Sequence, residues 1–173
     1  HKSGTCANES FDVSPYAGAV SGFLLRHPLT QNMPRKFKIA FGGCNGCGLT
    51  AINDIGLNAV IQRENGKELR GFRVLLGGGL GSYPQAAQLL ADFVSVNDLL
   101  RMCEAVIRIF EQYGDKKNRN KARFKFVLQK LGLGKVKELY EKEFASLSGA
   151  AYPEIKVPEE KIPAISKFTP SDA

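Results

Sequence analysis

The sequence predicts an α+β fold, a mixed β-sheet with helices packed against it, and three observations carry that prediction. First, Lys36-Phe37-Lys38-Ile39-Ala40-Phe41 alternates with period two, the signature of a half-buried strand. Second, Leu57 to Ile61 and Gly71 to Leu76 flank a Glu64-Asn65-Gly66-Lys67 turn and read as an antiparallel hairpin. Third, apolar residues recur at helical spacing between residues 97 and 147. At 173 residues and 43% hydrophobic content the chain is long enough for one domain with its own core.

From the start, the chain opens on His1 and enters at once into motif-bearing sequence, so it reads as the middle of a longer polypeptide. Cys6 lies in HKSGTCANES, a polar, turn-rich stretch where a buried structural cysteine would be unusual. Ser14 followed by Pro15 reads as an N-cap and first helical position. The segment to Arg26 carries Val20, Phe23 and Leu24 at helical spacing, and Arg26-His27-Pro28 ends it because the residue before proline leaves helical geometry. His27, at a helix end, reads as a surface or capping residue rather than a ligand.

Chemistry is concentrated between Pro34 and Asp54. The alternation places Phe37, Ile39 and Phe41 on a packing face and Lys36, Lys38 and Ala40 on the other, with the two lysines about 7 Å apart. A solvated strand face is the bland alternative for those lysines. The strand runs into Gly42-Gly43-Cys44-Asn45-Gly46-Cys47-Gly48, where glycines let the main chain approach a bulky group closely. Two thiols on such a loop suggest a metal or a cluster. Half a zinc site, a thioredoxin-like pair and two unrelated buried thiols remain open for Cys-x2-Cys alone.

Beyond the hairpin, Gly77-Gly78-Gly79-Leu80-Gly81 fits neither the G-x-G-x-x-G fingerprint nor the Walker pattern, and a hairpin precedes it where a βαβ unit would be needed, which argues against nucleotide binding. Three helices are then expected. The first, Asn97 to Tyr113, stripes Leu99, Leu100, Cys103, Val106, Ile107 and Phe110 and is closed by Gly114; Cys103 reads as core packing. The second, Asn118 to Leu131, stripes Phe124, Val127, Leu128 and Leu131. The third, Lys135 to Leu147, is amphipathic through Val136, Leu139, Tyr140 and Phe144. Residues 148–173, with Pro153, Pro158, Pro163 and Pro170, read as an extended connector.

The net charge of +7 calls for an anionic partner. Its main source is Lys116, Lys117, Arg119, Lys121, Arg123 and Lys125. An RNA footprint is a weak reading of this cluster, since only Phe124 and Phe126 accompany it as stacking aromatics. No apolar run approaches the roughly 20 residues that cross a bilayer, and no leader with a cleavage site is present, so a cytoplasmic protein is expected. Four cysteines are too few for a disulfide scaffold, and their clustering fits ligation in a reducing compartment.

The wording of several stretches is familiar. PRKFKIAFGGC with NGCG and INDIG, RGFRVLLGGGLG (70–81), GDKKNRNKARFKF (114–126) and the upstream FDVSPYAGAVSGFLLRHPL resemble the sirohaem-containing nitrite and sulfite reductases over most of residues 1–147. The resemblance implies one sirohaem and [4Fe-4S] half-domain of a pseudo-two-fold enzyme, with residues 148–173 leading to its second half. It implies six-electron reduction of sulfite or nitrite, with electrons from ferredoxin or a flavoprotein, and neither nucleic acid nor membrane as partner. Lys36 and Lys38 match the family's substrate-pocket lysines, and Cys6, Cys44 and Cys47 its cluster ligands, with Cys47 bridging to the sirohaem iron. Arg35, Asn53, Gly77, Gly78, Gly79, Asn118, Arg119, Lys121 and Arg123 are the implied cofactor-binding residues. Two departures accompany the match: GCNGCG is one residue shorter than the family's Cys-x3-Cys, and the mate of Cys6 in a Cys-x5-Cys pair would fall immediately before His1. A non-catalytic iron-sulfur carrier and a basic nucleic-acid-binding module are the rival classes.

Overall fold

A computed structural model describes residues 6, 8–44, 49–81 and 83–158. Its centre is a four-stranded mixed sheet in sequential order, β1 (Ile39–Gly42), β2 (Ile55–Glu64), β3 (Lys67–Leu76) and β4 (Gln88–Ser95). The β1 strand runs parallel to β2 with Ile39 opposite Ile55, while β2 and β3 form the expected antiparallel hairpin from Ile55–Leu76 down to Glu64–Lys67. Asn65 and Gly66 close it with φ of 51° and 76°. Positive φ at both central residues matches the twist of the flanking strands, which is why Asn-Gly is the favoured pair there.

One face of the sheet is apolar, through Ile55, Leu57 and Ala59 of β2, Phe72, Val74 and Leu76 of β3, and Leu90 and Val94 of β4, all buried. The helix α3 (Leu99–Tyr113) lies in the same core and buries residues on every side, from Leu99 and Met102 to Ile109 and Phe110. Each such large apolar side chain contributes roughly 1.5–3 kcal/mol relative to exposure. Around α3 pack α1 (Ser14–Leu24), the single turn α2 (Pro28–Gln31), α4 (Phe124–Leu131) and α5 (Leu133–Ser146).

Several boundaries differ from expectation, each for a local reason. The β4 strand was not anticipated in sequence: register shifts between Phe72 and Val74 and between Val74 and Leu75 interrupt its pairing with β3, and a strict period-two pattern is lost. The α1 helix ends at Leu24, short of Arg26, whose φ of 62° is left-handed. Its start is secured by Asp12, whose Oδ1 accepts from Ser14 N at 2.9 Å and Ser14 Oγ at 2.7 Å, so Ser14 is capped rather than capping. His27 caps α2, with Nδ1 accepting from Leu29 N at 3.4 Å. The helix predicted over 118–131 begins only at Phe124; before it, Asp115 Oδ1 accepts from the backbone N–H of Lys117 and Asn118, and Asn118 Oδ1 from that of Asn120, holding this basic run in turns. Residues 148–158 form no helix or strand, and Tyr152 and Ile155 pack onto the core.

Candidate functional site

The loop after β1 brings together thiols far apart in sequence. Cys6 and Cys44, separated by 38 positions, place their sulfur atoms 3.6 Å apart, and Cys44 is buried, only 4% exposed. The approach is built by the main chain: Ser10 N donates to Gly43 O at 2.7 Å and Glu9 N to Cys6 O at 3.1 Å. A Cβ on Gly43 would lie 2.5 Å from Glu9 Oε1, so glycine leaves room here for the Glu9 side chain. Beneath them sits Asn58, 4% exposed, its Oδ1 without a hydrogen-bond partner among the described residues and 3.0 Å from where a Gly42 Cβ would stand. The two converging thiols are the ligand type that holds an iron-sulfur cluster. Cys47 lies outside the described residues, and no group of three or more metal-binding side chains forms among those that are described. Cys103 is different: it is wholly buried in α3, where burial pushes its thiol up to about 12, so it packs as a small apolar group.

Lys36 and Lys38 immediately precede β1 instead of lying within it, because the ladder opens at Ile39. The alternation nonetheless holds. Both lysines are exposed, while Phe37 between them turns inward onto Phe110 and Phe124, with ring centroids 5.2 and 6.0 Å away. An aromatic anchor thus fixes the segment that presents the cations. The Lys38 main chain is held on both sides: its N–H donates to Asp54 Oδ2 at 2.8 Å and its carbonyl accepts from Ile55 N at 3.1 Å.

Asp54, fully buried, was not singled out as a site residue in sequence. Its carboxylate receives Arg123 Nε on Oδ1 at 3.0 Å and Arg123 Nη2 on Oδ2 at 2.8 Å, a forked ion pair. Arg123 is therefore mostly buried and charge-compensated, in contrast to the exposed Arg119 and Lys121. Its predicted helical setting is replaced by an extended backbone just before α4.

The glycine loop is shaped largely by its own neighbours. Gly77, at φ 79°, leaves only 2.0 Å between a would-be Cβ and Leu128 Cδ1, and Gly78 leaves 2.3 Å to Ala51 O. Their amides donate to Asp54 O and Asn53 O at 2.8 and 2.9 Å. Asn53 in turn donates through Nδ2 to Leu49 O at 2.5 Å. A Cβ on Gly79 would stand 3.5 Å from Arg123 Nη2 and 3.8 Å from Lys125 Nζ. Lys125 was read only as part of the basic run, yet it is 3% exposed and its ammonium donates to the carbonyls of Leu80 and Tyr83; burial, with Arg123 alongside, holds it below the ordinary lysine value. Leu49, Leu80 and Tyr83 stand exposed beside these glycines.

Arg35 reaches across to donate to Arg119 O at 2.6 Å, joining the lysine segment to the basic turn. On either side of that contact lie two clefts. One, of about 520 Å³, is bounded by Arg35, Lys36, Phe37, Met33 and Ile107; the other, of about 1000 Å³, by Lys116, Lys117, Lys121, Lys130, Tyr83 and Phe126. Asn118 is exposed and its side chain is used in the local turn. The described contacts thus join Cys6 to Cys44, Arg35 to Arg119, and Lys38, Arg123 and Gly77 to Asp54, with Lys125 beside Gly79.

Comparison with known proteins identifies the family. An assimilatory ferredoxin-dependent nitrite reductase of Haloferax mediterranei is 34% identical over 146 residues, covering 82% of this chain and 25% of its own length. A sulfite reductase [ferredoxin] 1 of Mycolicibacterium paratuberculosis is 32% identical, with the same shares covered. The chain thus spans about a quarter of the length of these curated relatives. The solved structure of the Mycobacterium tuberculosis NirA protein superposes with a TM-score of 0.68 at 30% identity, over 82% of this chain and 25% of that one. Dissimilatory sulfite reductase I, at 15% identity, a TM-score of 0.60 and coverage of 92% of this chain and 55% of that one, shares the fold. The profile of the nitrite and sulphite reductase 4Fe-4S domain matches residues 1–147, and the chain belongs to that family.

Proposed function

We propose that this chain is one sirohaem and [4Fe-4S] half-domain of an enzyme that reduces sulfite to sulfide or nitrite to ammonia. The observation that carries the reading is the meeting of Cys6 and Cys44 sulfurs, 3.6 Å apart, at the end of the strand that the two exposed lysines lead into. A cluster would be held by Cys6, Cys44 and Cys47, with Cys47 toward the sirohaem iron. The cluster and macrocycle, when bound, pass single electrons to the substrate.

The chain's own residues supply binding and protons. Lys36 and Lys38 hold a small oxyanion by charge and hydrogen bonding, and their ammonium groups donate protons as substrate oxygens leave as water. Phe37, packed on Phe110 and Phe124, keeps the pair in place. Half-buried Arg35 and the exposed Arg119 and Lys121 meet macrocycle carboxylates, for which guanidinium and ammonium groups are suited. Asn53, Gly77, Gly78 and Gly79 form the adjoining wall, with Asn118 fixing the basic turn and Arg123 bracing it from within. The electron donor would be ferredoxin or a flavoprotein, and the second pseudo-symmetric half would complete the pocket. No helix among the described residues is long and apolar enough to cross a membrane.

The deciding experiment is steady-state turnover of sulfite and nitrite with a chemical electron donor, on Lys36→Met and Lys38→Met variants of the holoenzyme that contains this domain. Each variant is expected to keep its sirohaem absorbance and to lose roughly 100-fold in rate, as loss of a preorganised electrostatic contact does. Near-normal turnover in both would make the lysine segment scaffold and move the anion site elsewhere.

A further inference from the structure

We propose that Asp54 is the positioning residue for Lys38: its buried carboxylate ties the Lys38 main chain to the Arg123 guanidinium and thereby sets where the Lys38 ammonium meets the anion. The inference rests on the reading of Lys38 as an anion-holding residue. Three segments meet on this one side chain and its peptide. Oδ2 accepts from Lys38 N at 2.8 Å and from Arg123 Nη2 at 2.8 Å, Oδ1 accepts from Arg123 Nε at 3.0 Å, and Asp54 O accepts from Gly77 N at 2.8 Å. The partners stand 16 and 69 positions away along the chain, so no local turn explains their convergence.

The arrangement has a directional logic. Lys38 is exposed as a side chain but pinned as a main chain, its carbonyl taken by Ile55 N and its N–H by Asp54. Arg123, with Nε and Nη2 both given to a fully buried carboxylate, acts as an internal strut that orients Asp54. Three N–H donors aim at two oxygens, which only a carboxylate can satisfy. An asparagine at position 54 would offer one acceptor oxygen, and its NH₂ would confront a donor whichever way the amide turned. Losing the charge therefore loosens either Lys38 or the strut, without touching the lysine side chain itself.

The test is a double-mutant cycle read by binding. Sulfite is titrated into the holoenzyme and followed by the absorbance change of the bound sirohaem, with sirohaem and iron content and the melting temperature recorded for every variant. Asp54→Asn is expected to weaken sulfite binding about tenfold at unchanged cofactor content, the scale on which slight misplacement of a binding group acts. On a Lys38→Met background the same substitution should change affinity by less than about twofold, since residues that act as one unit are not additive. On a Lys36→Met background the full loss should remain. Arg123→Lys, which keeps the cation beside Asp54 but gives up the fork, carries the same cycle if Asp54→Asn does not accumulate as folded protein, with an expected loss of about threefold. Equal losses on every background, or no loss at all, overturn the positioning role while leaving the lysine reading intact. Unchanged affinity in Lys38→Met alone overturns both.

Discussion

Two buried cysteines of this chain occupy opposite chemical situations, and the contrast shows what burial does and does not say about a thiol. Cys103 is 0% exposed and Cys44 is 4% exposed, so accessibility scarcely separates them. Their neighbours do. Cys103 lies among Met102, Val106 and other apolar groups of α3, and burial pushes its thiol up to about 12, which keeps it protonated and inert. Cys44 sits on a glycine loop 3.6 Å from a second sulfur, above an amide oxygen that has no partner among the described residues. The apolar interior is assembled by α3, whereas the rim that holds Cys44 is assembled by loops held through polar contacts. A site of this kind is recognised by convergence, not by depth.

The comparison is broken most directly by exchanging sulfur for oxygen on each side. Cys44→Ser is expected to abolish iron-sulfur loading and with it all turnover, because cluster iron needs thiolate ligands. Cys103→Ser should leave iron content unchanged and cost about 1–3 kcal/mol of stability through burial of a hydroxyl. Iron loss in the Cys103 variant would erase the distinction.

Glycines on the two sides test the same idea through sterics. Gly66 has φ of 76° and open space around it, so Gly66→Ala should cost about 1–2 kcal/mol, the left-handed backbone penalty alone. Gly77, at φ 79° with Leu128 Cδ1 2.0 Å from its would-be Cβ, should lose a further 1–3 kcal/mol or so to overpacking, together with sirohaem content. Urea denaturation of both variants, alongside the haem spectrum, separates hairpin from rim.

Phe37 is the joint between the regions, its ring in the core and its neighbours Lys36 and Lys38 at the surface. Because it is only half-buried, Phe37→Ala should cost about 2 kcal/mol, below the value for a fully buried ring. The sharper expectation is a raised KM for sulfite at a temperature where the variant is fully folded. A stability loss with unchanged KM would show that the two regions are mechanically independent.

The smallest effect concerns the tail. Tyr152 donates to Glu104 Oε2 at 2.9 Å and also meets Phe23, and burial together with that carboxylate raises its hydroxyl from the ordinary 10.0 to about 12. A raised value in the fold means that the contribution of the protonated phenol is complete below pH 10 and is lost as pH climbs through about 12. Tyr152→Phe should flatten part of the alkaline limb of a stability profile in that window, the rest belonging to Tyr140, which burial likewise raises to about 12. Iron content should not change.

Much of this molecule was legible from residue order. Period-two alternation placed Phe37, Ile39 and Phe41 inward, Asn65-Gly66 made the hairpin, and the apolar stripe of α3 named residues that are all buried, Cys103 included, while leaving out Met102, Glu104, Ala105 and Ile109. These are local consequences of side-chain period and backbone sterics, and a chain carries them wherever it folds. Tertiary structure alone decided the rest. Cys6 meets Cys44 across 38 positions and Asp54 meets Arg123 across 69, and no periodicity encodes such a pairing. It also turned Arg123 and Lys125 from members of an exposed basic run into buried struts, and left Arg119 and Lys121 outside. The physical reason is that a charge enters the interior only where a partner waits to compensate it, and which partner waits is settled by how distant segments pack.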